Sequence, residues 1–171
     1  MMIADTLKSI IYSNKIKKTL SNKAVLSDAS SGKIGLIIDA ESFDSKQALT
    51  ELYKSLEVKK SDFKIVVFGH AERISEDLEV DFLKPEEISY SGHFKMEAIR
   101  AFTKEKFEFL ICYFSEKSKI GYLLAAETSA AVKIGNSPDT YAMYDVEIQT
   151  KEINAFEQQV LKYIKIIKNN N

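Results

Sequence analysis

Four short segments carry side chains with the makings of a site. "DAESFD" places Asp39 and Glu41 two residues apart, a carboxylate pair suited to general acid–base work or to holding a magnesium ion. "GHAER" supplies Gly69, His70 and Arg73, with His70 as a base or a ligand-facing donor. "SYSGH" sets Ser91, Gly92 and His93 at the expected start of a helix, where free N–H groups and the helix dipole favour an anion. "SEKSK" places Ser115 and Ser118 between a strand and a helix. Each segment also has a plainer reading. Asp39 and Glu41 can simply end a strand that runs into a capped helix, His70 can sit on the surface, and Ser91–His93 can form a turn. Ser115 can cap the helix that follows.

These groups need a scaffold, and the pattern of apolar residues supplies one. "KIGLIID", "FKIVVFG" and "FEFLICYF" are short runs apolar on both faces, the composition of parallel strands covered by helices. Helical stripes lie between them. Ala48, Leu49, Leu52, Tyr53 and Leu56 share one face of a helix over 44–56, capped by Asp44 or Ser45. Met96, Ile99 and Phe102 face inward from another. "IGYLLAAETSAA" is apolar nearly all round, with small residues that allow close approach to the sheet or to another subunit. "VDFL" and "AVKIG" read as short strands, and "MYDVEIQT" alternates as an edge strand does. A terminal helix carries Ile153, Phe156, Val160, Tyr163, Ile164 and Ile167. Strand and helix alternate, so the expected fold is α/β: a three-layer, Rossmann-like sandwich with a mostly parallel central sheet. In such a sheet ligands bind beyond the carboxyl ends of the strands, which is where Asp39, His70 and Ser115 fall. Cys112 falls inside its strand between Leu110 and Phe114, where burial makes a thiol inert.

Ahead of this domain (25–171) lies a helical segment, 1–24. Ile3, Leu7, Ile10 and Ile11 follow helical spacing, while Ile16 and Leu20 fall on a different face. The segment holds five lysines against Asp5, so the rest of this chain of formal charge -1 is net acidic. Lys15, Lys17 and Lys18 are its candidate contacts to a protein or ribonucleoprotein partner, although its lysines are spread around the helical wheel.

Composition narrows the function classes. The 171 residues, 45% hydrophobic and 29% charged, fit one ordinary globular domain. One cysteine and two histidines argue against a disulfide, a thiolate zinc cage or a histidine metal site. No run approaches the about 20 apolar residues of a membrane span, and the first residues lack the apolar core of a secretory signal. The phosphate-binding patterns G-x-G-x-x-G and G-x-x-x-x-G-K-[ST] and the hydrolase elbow G-x-S-x-G are absent. The expectation is a reduced, cytoplasmic protein without a cofactor, metal centre or catalytic residue.

"KIGLIIDAESFD", "FGHAER" and the long run from Phe107 to Thr150 together resemble an uncharacterised family of small bacterial α/β proteins, a domain of unknown function. That resemblance implies no assigned activity. "FEFLICYF", "YLLAAETSAA" and "VKIG" are also similar to the N-terminal domain of heptosyltransferase-like glycosyltransferases, whose donor-binding second domain has no room here. The leading functional expectation is a non-catalytic protein that binds a macromolecular partner through its basic first helix. The alternative is a small ligand-binding or transferase-like domain using Asp39, His70, Ser91–His93 and Ser115. Self-association through the small-residue helix or the terminal helix is the third.

Overall fold

The computed structural model describes residues 2–22, 31–41, 47–70, 79–136 and 138–170. The Asp44 and Ser45 caps and Arg73 lie outside the described residues.

Six strands form one sheet: β1 (Ile34–Asp39), β2 (Phe63–Phe68), β3 (Asp81–Leu83), β4 (Phe107–Tyr113), β5 (Ala130–Asn136) and β6 (Val146–Ile148). Their order is β3-β2-β1-β4-β5-β6, and every pairing is parallel. This is a doubly wound, Rossmann-like order, with β1 and β4 side by side at the centre. The alternating strand β6 lies at one edge, as its pattern predicts.

Two apolar layers cover the sheet. On one face lie α1 (Met2–Ser21), α4 (Glu97–Lys104) and α5 (Lys119–Glu127), packed over Ile37, Val66, Leu110 and Cys112. On the other lie α2 (Gln47–Thr50), α3 (Leu52–Ser55) and α6 (Ile153–Asn169), over Leu36, Ile38, Phe109 and Ile134. Strand periodicity deals alternate residues to the two layers, which is why β1 is buried along nearly its whole length. Cys112 is fully buried in the first layer, as its position between Leu110 and Phe114 predicts. Phe107 departs from the alternation: it joins the first layer, its ring 4.9 Å from that of Phe102.

The first helix differs from its sequence pattern. Leu7 and Ile10 are 48% and 51% exposed, whereas Tyr12 and Ile16 are buried. The choice of face follows from what α1 rests on. It lies along α5, where Thr19 and Lys15 both reach Glu127. Tyr12 is buried in the same apolar layer as Leu123 and donates its hydroxyl to the Ser89 carbonyl at 3.1 Å. Gly121, Ala125 and Ala126 of α5 are buried within the chain's own fold. Gly121 has no room for a side chain, since a Cβ there would stand 2.6 Å from the Phe114 ring.

Candidate functional site

The site forms where β1, β2 and β4 end. Asp39 is the last residue of β1, and Ala40 and Glu41 continue past it in a tight turn. β2 ends at Phe68, the register partner of Asp39. Gly69 then adopts φ +126, a conformation disfavoured for residues with a side chain, and donates its N–H to the Leu83 carbonyl at 3.0 Å. A Cβ on Gly69 would approach that of Ala40 to 3.2 Å. A glycine therefore lets the ends of β1 and β2 lie together and delivers His70 beside Glu41.

The third wall follows β4. Asn136, at the end of β5, brackets Phe114 from both sides: its Oδ1 accepts the Phe114 N–H at 3.1 Å, and its Nδ2 donates to the Phe114 carbonyl at 2.9 Å. This clamp sets where the chain leaves the sheet. Ser115 follows, its hydroxyl accepting the Lys117 N–H at 3.3 Å and its carbonyl the Ser118 N–H at 2.9 Å. Ser118, rather than Ser115, caps α5: its hydroxyl accepts the Gly121 N–H at 3.2 Å.

Between these walls lies a crevice of about 270 Å³, lined by Asp39, Glu41, His70, Ser115, Lys117 and Ser118 over a floor that includes Ala40 and Phe68. β1 and β4 are neighbours. The chain leaves β1 for the α2–α3 face and leaves β4 for the α5 face. Divergence of the two connections opens the gap, so the crevice is a topological switch point. His70, Glu41 and Ser115 are exposed, while Asp39 is partly buried. Burial, with the negative charge of Asp39 adding to it, pushes the Tyr113 phenol above the ordinary tyrosine value. The site can therefore offer acceptors on the β1 side, hydroxyls at Ser115 and Ser118, and a cation at Lys117. Among the described residues, no three His, Cys, Asp or Glu side chains gather as metal ligands.

Asp39, His70 and Ser115 thus come together from three different strands. The other expected residues lie elsewhere. "SYSGH" does not open a helix: α4 begins at Glu97, and Ser89–His93 is a tight turn closed by Ser89 N–H to His93 O at 2.8 Å and Gly92 N–H to Ser89 O at 2.9 Å. Ser91 is held 3.1 Å from the Ser89 hydroxyl. Gly92 has φ +85 and is buried against α1. Lys15 reaches across to this turn, donating to the Gly92 carbonyl at 2.5 Å, lying 3.3 Å from His93 Nδ1 and 3.8 Å from Glu127. Lys15 is thus a tether between α1 and the turn. Lys17 and Lys18 are exposed on the outward side of α1.

Lys117 lines the crevice beside the residues expected there. Its signal was the "SEKSK" loop itself, where a lysine sits between a strand end and a helix start. Among the described residues no helix is long and apolar enough to cross a membrane.

No curated protein and no solved structure matches the chain, so the likeness to heptosyltransferase-like domains finds no support there. A family does match, over residues 8–167, from within α1 to near the end of α6. The chain belongs to that family, described as a family of unknown function (DUF6913).

Proposed function

We propose that this protein binds a small polar molecule in the crevice at the carboxyl ends of β1, β2 and β4. The carrying observation is the convergence of Asp39, His70 and Ser115 with Glu41, Lys117 and Ser118 on one concavity. Its volume is near the lower end of ordinary ligand sites, which suits a molecule the size of a monosaccharide or an amino acid. Asp39 and Glu41 accept hydrogen bonds, so they favour hydroxyl or ammonium groups on the ligand. The Ser115 hydroxyl already takes the Lys117 N–H, which supports a role in binding and orientation rather than as a nucleophile. A reduced, cytoplasmic setting belongs to the same reading and suits a chain whose single cysteine, Cys112, is buried. A thermal-shift screen of small polar metabolites tests the proposal, because a ligand that binds only the folded state raises the melting temperature. Hits should stabilise the wild type and leave Asp39→Asn unmoved. Hits that shift both proteins equally would refute the crevice as the site.

A second reading, binding of a macromolecular partner through the first helix, is favoured by one observation. Lys17 and Lys18 are exposed on the side of α1 that also exposes Leu7 and Ile10. Because Lys15 is engaged with Gly92 and Glu127, that surface rests on the other two lysines. The double change Lys17→Glu, Lys18→Glu should remove any copurifying partner without unfolding the domain. An unchanged set of copurifying molecules would end this reading.

A further inference from the structure

A second concavity, of about 320 Å³, lies between α1 and the start of α5. Its lining includes Lys8, Ser9, Tyr12, Lys117, Ser118 and Lys119, with Asp5 the single acidic residue there among the described residues. Lys117 and Ser118 line the crevice as well, so the two hollows meet across the same two residues. Their charges are opposite. The crevice holds Asp39 and Glu41 against Lys117, whereas the groove holds Lys8, Lys117 and Lys119 against Asp5.

From this we infer that the trough takes a bipolar ligand: a hydroxyl- or amino-bearing body in the crevice and a phosphate group in the α1–α5 groove. The inference rests on the crevice reading and adds the class of molecule. Lys119 is positioned rather than free to swing. Its ammonium donates to the Tyr141 hydroxyl at 2.6 Å, and that hydroxyl donates to Ser13 on α1 at 3.1 Å. Lys8 lies over the Tyr12 ring, 5.5 Å from its centre. Both cations are therefore partly ordered before any anion arrives, which lowers the entropy lost on binding. The local field agrees. Burial pushes the Tyr141 phenol up, but its hydrogen bonds to Lys119 and Ser13 and the charges of Lys119 and Lys17 outweigh burial and hold it below the ordinary tyrosine value. Past the cap, the first amides of α5 add donors to the same end of the groove, since a helix start leaves N–H groups without intrahelical partners. Phosphate is favoured over a carboxylate because three lysines and a helix start match a group with several charged oxygens.

The test uses inorganic phosphate as the probe, on the full chain, followed by two-dimensional amide NMR at constant ionic strength with sulfate and chloride as controls. Phosphate should shift the amides of Ser9, Lys117, Ser118, Lys119 and Ile120 saturably. The Lys8→Gln variant should weaken it by about tenfold, the scale of one lost charge-assisted hydrogen bond. Lys117→Gln should do the same, and it leaves the Tyr141 contact of Lys119 in place. No saturable shift, equal shifts with chloride, or binding insensitive to both variants would overturn the inference. The crevice reading is separated by Asp39→Asn: it should leave phosphate binding intact while abolishing the response to unphosphorylated screening hits. Loss of the phosphate response with those hits retained would sink the anion seat alone.

Discussion

The two ends of the sheet are made by the same strands and are finished in opposite ways. At the amino end, the chain is tied shut. Lys33, just before β1, pairs with Glu105, just after α4, and its carbonyl accepts the Glu108 N–H at 2.8 Å. The Phe107 N–H goes to the Ser129 carbonyl at 3.1 Å, and the rings of Phe102 and Phe107 pack behind them. At the carboxyl end, β1, β2 and β4 release polar residues into an open crevice. A parallel sheet brings every strand's last residue to one pole, so polar residues that are unrelated in sequence become neighbours there. One pole stabilises, and the other is available for binding.

Glycines make this contrast testable, because each pole has one inside a strand. Gly135, near the end of β5, lies flat against the Tyr144 ring, and a Cβ would intrude on that ring. The ring cannot retreat easily, since it stacks on Tyr122 and its hydroxyl is buried. Gly135→Ala should therefore cost about 1–3 kcal/mol, the usual range for overpacking, with a matching fall in the urea midpoint. Next in size is Asn136→Ala. It removes both hydrogen bonds that bracket Phe114 and should cost about 1–2 kcal/mol by the same measurement. It should also weaken ligand binding, because Ser115 loses its anchor. A stability loss with unchanged binding would show that the clamp does not position the crevice.

Gly35, near the start of β1, gives the smaller effect. A Cβ there would meet the tip of Leu110 at 2.9 Å and the rims of Phe107 and Phe102 at 3.1 and 3.2 Å. The Leu110 tip can rotate, so Gly35→Ala should cost about 1 kcal/mol. A larger loss than for Gly135→Ala would show that the Leu110 tip cannot move aside. The smallest effect belongs to the Lys33–Glu105 pair. The hydrogen bond that the Lys33 ammonium donates to Glu105, then the charge of that carboxylate, raises the Lys33 pKa above the ordinary lysine value. Its folded value thus exceeds its unfolded one, so the pair's support is fully present below the unfolded pKa of about 10.4 and disappears as pH rises through the raised folded value. The pair is partly exposed and screened by solvent, so the difference between wild type and Glu105→Gln in urea midpoint should be small and steady from pH 7 to about pH 9. It should shrink above about pH 10.5.

Much of this was legible in the sequence. The strands β1, β2 and β4 are apolar on both faces, and that alone argues for a covered parallel sheet. The carboxyl-end rule then singled out Asp39, His70 and Ser115 without any contact information. Other features depended on tertiary packing. The exposed positions of Leu7 and Ile10 depend on which side of α1 meets α5, and it is Tyr12 and Ile16 that are buried instead. Ser91–His93 has the composition of a helix start, but its polar groups are spent within its own turn and on Lys15. The place of Lys117, shared by crevice and groove, depends on how α1 lies along α5, which no local pattern encodes. The helix cap moved from Ser115 to Ser118 because Ser115 first closes the turn that leaves β4.

The most direct check of the central claim is retention of small molecules from a native cell extract. Wild-type protein and the Asp39→Asn, Lys117→Gln double variant would be equilibrated with the same extract, separated from unbound material and analysed by mass spectrometry. The wild type should retain a small polar compound bearing hydroxyl or amino groups, and the equally folded double variant should not. Retention of the same compound by both proteins, or of nothing by the wild type, would contradict the claim.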